Sequence, residues 1–243
     1  MSFPEHSDRG KNLWGLVPVK SLANANQRLK ACLGDNCLEF SMSMFMDVMS
    51  ALKNSKKIKN IAIVTADPRV VGIAENHDLL VVDEIESMGL NPAVELGIEA
   101  IRRRGGQRVV ILPTDIPLVT GAEIDRVLQE LSIELKGNGA DVVGISPAKN
   151  HEGTNFLCLD TSQSMPLSYG PDSYNRHLAI AAEHGLRPVT LLSKTIAIDI
   201  DRRRDIEEFI DYCLVNPRFQ ETATWRFLSQ KGYINHSGNR RSG

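Results

Sequence analysis

The sequence predicts an α/β fold, a single three-layer α/β/α domain built on a mostly parallel central sheet. Three observations predict it. Apolar strand-like segments alternate along the chain with segments of helical spacing, the order that produces crossover connections and covers a parallel sheet on both faces. Some of these strands, Val109-Val110-Ile111-Leu112 above all, are continuous apolar runs, as strands covered on both sides are. The chain of 243 residues, 42% hydrophobic and 24% charged, also has ample material for one large core.

The elements follow in order. Residues 1–12 are polar and read as a flexible N-terminus, and the first strand is expected over Leu13 to Val19. A helix over Leu38 to Leu52 carries the stripe Phe40, Met44, Phe45, Val48, Met49, Leu52, whose spacing marks core or a contact between two copies, so a homodimer is compatible with it. The strand Asn60 to Thr65, the helix Arg69 to Asn76 and the strand Leu79 to Asp83 come next. The helix Pro92 to Arg103 has Asn91 as a cap with proline behind it. After the strand Arg108 to Pro113, Thr120 with Glu123 three residues on signals the helix Ala122 to Leu135. Strands over Asp141 to Ser146 and Asn155 to Leu159 precede the helix Ser173 to Glu183, capped by Asp172 or Ser173 after Pro171. Strands over Arg187 to Leu192 and Ile196 to Ile200 and the helix Arg203 to Leu214 complete a domain of residues 13–215. Residues 216–243 are expected to be a C-terminal extension, partly disordered because the stretch from Asn235 is rich in Asn, Gly, Ser and Arg.

Composition narrows the partners. A net charge of -2 and a pI near 6.3 speak against a nucleic-acid surface and point to a small-molecule partner. No apolar run has the ~18 residues that a membrane span requires, and the polar start lacks the apolar core of a secretion signal. The four cysteines are scattered without a C-x-x-C pair, as reduced thiols are in a cytoplasmic protein.

The candidate chemistry lies at strand ends. Ligands of open α/β sheets bind beyond the carboxyl ends of the strands, where Val109 to Leu112 runs into Pro113, Thr114 and Asp115. Ile196-Ala197-Ile198-Asp199-Ile200-Asp201 repeats the device, and two such ends side by side would hold a divalent cation. Lys20, just past the first strand, and Arg28 can neutralise a polyphosphate, or be ordinary surface charges. Neither Gly-rich phosphate loop, G-x-G-x-x-G or G-x-x-x-x-G-K-[ST], is present. Gly89-Leu90-Asn91-Pro92 places an amide at a helix start, as a cap or as a reader of a base or phosphate. Two glycine-anchored loops, His151-Glu152-Gly153-Thr154-Asn155 and Tyr169-Gly170-Pro171-Asp172-Ser173, supply the hydroxyls of Thr154 and Ser173 for a small oxyanion, unless they are plain turns.

Taken together, V-P-V-K followed by A-x-x-R-L, G-L-N-x-A-V, L-P-T-D-I-P, G-T-N, the loop with Ser173, Arg176 and His177, and D-I-D resemble the guanylyltransferases of coenzyme F-420 biosynthesis. These form the CofC/FbiD family of GT-A-like nucleotidyltransferases, and the likeness runs from Leu13 to about Asp211. The resemblance implies Mg²⁺-dependent transfer of GMP from GTP to the phosphate of phosphoenolpyruvate, 2-phospholactate or 3-phosphoglycerate. It implies catalytic roles for Lys20, Arg28 and Asp115, with Mg²⁺ on Asp115, Asp199 and Asp201. Lys20, Arg28, Asn91, Pro113 and Thr114 would then serve the nucleotide, and Thr154, Gly170, Ser173 and Arg176 the acceptor, while His177 is as readily structural. The L-x-G-G-x-x-x-R loop of molybdenum-cofactor guanylyltransferases and sugar-phosphate cytidylyltransferases is absent. The chain departs from the family at Asn26 and Gln27, where lysine and serine are usual. It departs again at Asp172 in place of glycine, a carboxylate that would be harmless as a helix cap.

Overall fold

A computed structural model describes residues 12–20, 22, 27–77, 79–83, 89–138, 141–163 and 165–234, without the side chains of residues 27 and 136–138. Most of the expected N-terminus, Asn26, and the tail from residue 235 lie outside the described residues, as does the side chain of Gln27. The strands are β1 (Leu13–Val19), β2 (Asn60–Thr65), β3 (Leu80–Asp83), β4 (Arg108–Ile111), β5 (Val142–Pro147), β6 (Thr154–Asp160) and β7 (Arg187–Thr190). The helices are α1 (Lys30–Leu33), α2 (Cys37–Asn54), α3 (Pro68–Glu75), α4 (Leu90–Arg103), α5 (Gly121–Asn138), α6 (Ser173–Glu183), α7 (Arg203–Val215) and α8 (Ala223–Gln230).

The seven strands form one sheet in the order β3-β2-β1-β4-β6-β5-β7. β6 runs antiparallel to both β4 and β5, and every other pairing is parallel. Alternation along β1 divides the core as a pleated strand must. Leu13, Val17 and Val19 face Phe45, Val48 and Leu52 of α2 and Val127 of α5, whereas Trp14 and Leu16 face Val94 and Ile101 of α4. Three layers result.

The stripe on α2 is covered inside the chain. Phe40, Met44, Phe45, Val48, Met49 and Leu52 are all buried, and the helix packs against α5 and α8. The stripe itself is therefore core and offers no surface to a second copy.

The segment Ile196 to Ile200, expected as a strand, is not one. Ile196, Ile198 and Ile200 are buried as alternation requires, but the backbone finds scattered partners rather than a ladder. The Ala197 carbonyl accepts from the Lys149 N–H at 2.9 Å, and the Ile200 N–H donates to the Asp115 carbonyl at 2.9 Å. Alternating burial is shared by a strand and an extended loop, and only a partner strand separates them.

Residues 216–234, set apart in the sequence as an extension, pack into the protein. Phe219, Phe227, Leu228 and Ile234 join Phe40, Met44, Ile200 and Phe209 in one buried cluster. Asp47 of α2 accepts the backbone N–H groups of Ala223 and Thr224, tying down the start of α8. No described helix is long and apolar enough to cross a membrane.

Candidate active site

β4 ends at Ile111, and the next N–H, that of Leu112, still reaches across to the Leu16 carbonyl of β1 at 3.1 Å. Pro113, Thr114 and Asp115 then form a half-exposed bend, after which buried Ile116 and Leu118 return the chain to the core. The hydrogen bond from Ile200 to the Asp115 carbonyl brings Asp199 and Asp201 beside this bend. With Ile198 and Ile200 turned into the core, Asp199 and Asp201 stay half exposed.

The electrostatics record the convergence. The Asp115 carboxyl is pushed up from 3.8 to about 8, chiefly by burial and then by the carboxylates of Asp201 and Asp199. Burial also raises Asp199, with Asp201 and Asp205 adding to the effect and the Asn155 amide opposing it. Among the described residues Arg28 pairs with this cluster, its Nη1 standing 3.7 Å from Asp201 Oδ2. Both of its partners are well exposed, so the pair itself contributes little. Asp115 with Asp201 or Asp199 could hold a hard cation. Among the described residues no three or more His, Cys, Asp or Glu are grouped so as to hold a metal ion, so at most two of these carboxylates would share one.

Lys20 is exposed just past β1, the strand beside β4, and so lies at the same edge as Asp115. The connection leaving Lys20 is anchored by Asp67. This buried carboxylate accepts the Leu22 N–H at 2.9 Å, caps α3 through Arg69 N, and pairs with the Arg69 guanidinium. These donors hold its pKa below the ordinary carboxylate value, the Arg69 side chain contributing most.

The reversed direction of β6 completes the edge. Because that strand runs opposite to its neighbours, its first residue, Thr154, stands where β4 and β5 finish. The Thr154 N–H donates to Ser173 Oγ at 3.0 Å, joining the start of β6 to the start of α6. Thr154 Oγ1 lies 2.9 Å from Nδ1 of fully buried His177, and His177 Nε2 accepts the Ser168 N–H at 3.0 Å. Gly170 adopts φ +125, a conformation L side chains rarely take, and a Cβ there would stand 3.3 Å from Arg176 Nη2.

Several expectations change in this loop. Asn91 does not cap α4, which begins at Leu90 after Gly89 with φ +101. Its side chain instead clamps Tyr169, accepting that N–H at 2.7 Å and donating to that carbonyl at 3.3 Å. Arg176 donates to the Ser168 carbonyl at 3.0 Å, so part of its guanidinium is committed to the loop backbone. Asp172 occupies the cap position of α6, but its side chain caps no backbone N–H. It sits at φ +57 and accepts from Asn175 Nδ2 at 2.6 Å on the exposed surface. A left-handed residue turns its carboxylate away from the first-turn N–H groups.

Thus Asp115, Asp199, Asp201 and Arg28 gather at one edge, where β1 also delivers Lys20, and Thr154 and Ser173 stand beside it at the starts of β6 and α6, with Gly170 in the loop before α6. Pro113 and Thr114 form the bend itself. Sequence reasoning missed Asp67 and Asn155. Asp67 carried a signal as the acid before Pro68 at a helix start. Asn155, inside the G-T-N motif, donates to the Ile196 carbonyl at 2.9 Å and to Asp199 Oδ1 at 3.3 Å, fastening the acidic segment to β6. Two surface clefts lie at the opposite edge, one near Trp14, Lys59 and His77 and one near Gln107, Asp141 and Asp160, and neither contains a candidate residue.

The chain is 32% identical over 196 residues to a phosphoenolpyruvate guanylyltransferase of Conexibacter woesei, covering 80% of this chain and 85% of that one. It is also 32% identical over 196 residues to a 2-phospho-L-lactate guanylyltransferase of Methanothermobacter thermautotrophicus, covering 80% and 82%. Among solved structures, a protein titled a nucleotide-diphospho-sugar transferase of Desulfovibrio desulfuricans superposes with a TM-score of 0.72 at 15% identity, covering 91% of this chain and 96% of that one. A nucleotidyl transferase of Methanothermobacter gives a TM-score of 0.58 at 18% identity, covering 85% and 100%. At these identities the two structures show a shared fold. The family model described as guanylyl transferase CofC like matches residues 14–214, most of the described core and all of the edge assembled above, so the chain belongs to the CofC-like guanylyl transferase family.

Proposed function

We propose that this protein transfers GMP from GTP to the phosphate of a small phosphorylated acid, releasing pyrophosphate, with Mg²⁺, as a step in coenzyme F-420 assembly. Phosphoenolpyruvate and 2-phospholactate, the acids in the relatives' names, are the first candidates, and 3-phosphoglycerate is the third. The observation that carries the reading is a carboxylate cluster, Asp115 with Asp199 and Asp201, paired through Asp201 with the exposed Arg28, at the sheet edge where Thr154 and Ser173 begin β6 and α6.

The donor set suits the ion. Carboxyls whose burial and mutual repulsion oppose ionisation regain their charge beside a hard divalent cation, which they therefore favour. Mg²⁺ characteristically takes one or two carboxylates and fills its other positions with water and phosphate oxygens. When bound, it supplies charge neutralisation between two anionic reactants and at the departing pyrophosphate. Asp115 and Asp201 or Asp199 would hold it. Lys20 and Arg28 add mobile positive charge toward the triphosphate. Thr154 and Ser173, fixed by their mutual hydrogen bond and by α6, orient the acid so that its phosphate oxygen faces the α-phosphorus. That oxygen is already deprotonated at neutral pH, so neither a protein nucleophile nor a general base is needed. His177, buried and pushed down to about 4 by burial and then by Arg176, is free for another role.

Incubation with GTP, Mg²⁺ and each of the three acids tests the proposal. Pyrophosphate release with at least one acid, and a product whose mass equals that acid joined to GMP, is expected. Silence with all three overturns it.

A further inference from the structure

His177 has no step in the chemistry above, yet it is entirely buried and both ring nitrogens are engaged at the acceptor loop. A backbone N–H can only donate, so the Ser168 N–H obliges Nε2 to present its lone pair. The ring proton of the neutral imidazole must then sit on Nδ1. Nδ1 lies 2.9 Å from Thr154 Oγ1, which therefore accepts. A hydroxyl that accepts from one side turns its own proton elsewhere, and no described residue takes it. The Tyr169 ring stands edge-on against the imidazole, centroids 4.9 Å apart at 76°, and Asn91 clamps the Tyr169 backbone.

We infer that His177 is a positioning residue for the acceptor. It fixes the Thr154 hydroxyl as a hydrogen-bond donor toward the anionic acid, so that the site selects a carboxylate or phosphate oxygen over a donor group. The inference rests on the guanylyltransferase reading for the identity of the acid. The direction of the hydroxyl does not depend on it.

Two substitutions divide the ring's functions. His177→Asn keeps an N–H donor near the place of Nδ1, whereas His177→Gln places its amide near Nε2, keeping the anchor for Ser168 but withdrawing the donor to Thr154. With GTP and phosphoenolpyruvate, His177→Gln is expected to raise the acceptor KM about tenfold with the KM for GTP unchanged, and His177→Asn to rescue most of that loss. In a Thr154→Val background, which removes the hydroxyl, His177→Gln should add nothing further. Equal KM effects of the two variants, or additive effects of His177→Gln and Thr154→Val, would overturn the inference. A long-range ¹H–¹⁵N correlation spectrum of the wild-type protein supplies a readout free of catalysis: the Nδ1–H tautomer at pH 7 is expected, and the Nε2–H tautomer refutes the assignment. Failure of the wild type to turn over with any acid would sink the reaction reading while leaving the tautomer result to judge this inference.

Discussion

Replacing Asp115 by asparagine should make the protein more stable and stop its chemistry. The folded-state value of Asp115 lies above the ordinary 3.8, at about 8, so the folded chain keeps a proton that the unfolded chain gives up. Stability therefore falls as pH rises across that window. At about 1.36 kcal/mol per pH unit the interval sets a ceiling of about 6 kcal/mol, and partial exposure with solvent screening leaves roughly 1–3 kcal/mol. Asparagine has the same shape without the charge. The bond from Ile200 is accepted by the Asp115 backbone carbonyl, so it survives the change. Urea unfolding without divalent cation at pH 8.5 should show Asp115→Asn more stable than wild type by that amount, with the two alike near pH 4. Added Mg²⁺ and GTP should stabilise the wild type and leave the variant nearly unmoved, while pyrophosphate release falls at least about a hundredfold. Equal stability at pH 8.5, or wild-type turnover by the variant, would refute the reasoning that these carboxylates converge on a shared cation.

Asn91→Ala removes both hydrogen bonds to Tyr169 and is expected to raise the acceptor KM roughly tenfold, more than the KM for GTP. An effect on GTP alone would return Asn91 to the nucleotide. Phe227→Ala empties a buried position of α8 against Phe40, centroids 5.4 Å apart, and should cost about 3–5 kcal/mol in urea unfolding. A loss below about 1 kcal/mol would mean that residues 216–234 are not part of the core.

Much of this molecule is legible in its amino-acid order. Strand–helix alternation dictates the layered fold, because amphipathic period and turn chemistry are local properties. β1, β2 and α6 have the boundaries expected from their apolar spans and caps. The family motifs mark Lys20, Arg28, Asp115, Thr154, Ser173 and Asp201. What stays hidden depends on partners distant in sequence. The alternation through Ile196, Ile198 and Ile200 reads as a strand, yet no described strand pairs with it. Phe219, Phe227 and Leu228 carry no motif, and their burial depends on meeting Phe40 and Met44 of α2. Asn91 looks like a cap until Tyr169, which comes 78 residues later, takes both ends of its amide.

The sequence by itself determined the periodicity and the strand ends that carry acids, consequences of chain-local geometry, and its family motifs marked the residues that could do chemistry. Tertiary structure alone decided three further things. β6 runs backward and so delivers Thr154 to the edge that holds Asp115. The D-I-D segment docks through a single backbone bond to the Asp115 bend. The buried imidazole of His177 has one nitrogen already claimed by a backbone N–H. The physical reason is common to all three: a hydrogen bond or a buried charge is set by its partner, and the partners here are brought together only when the sheet closes over its core.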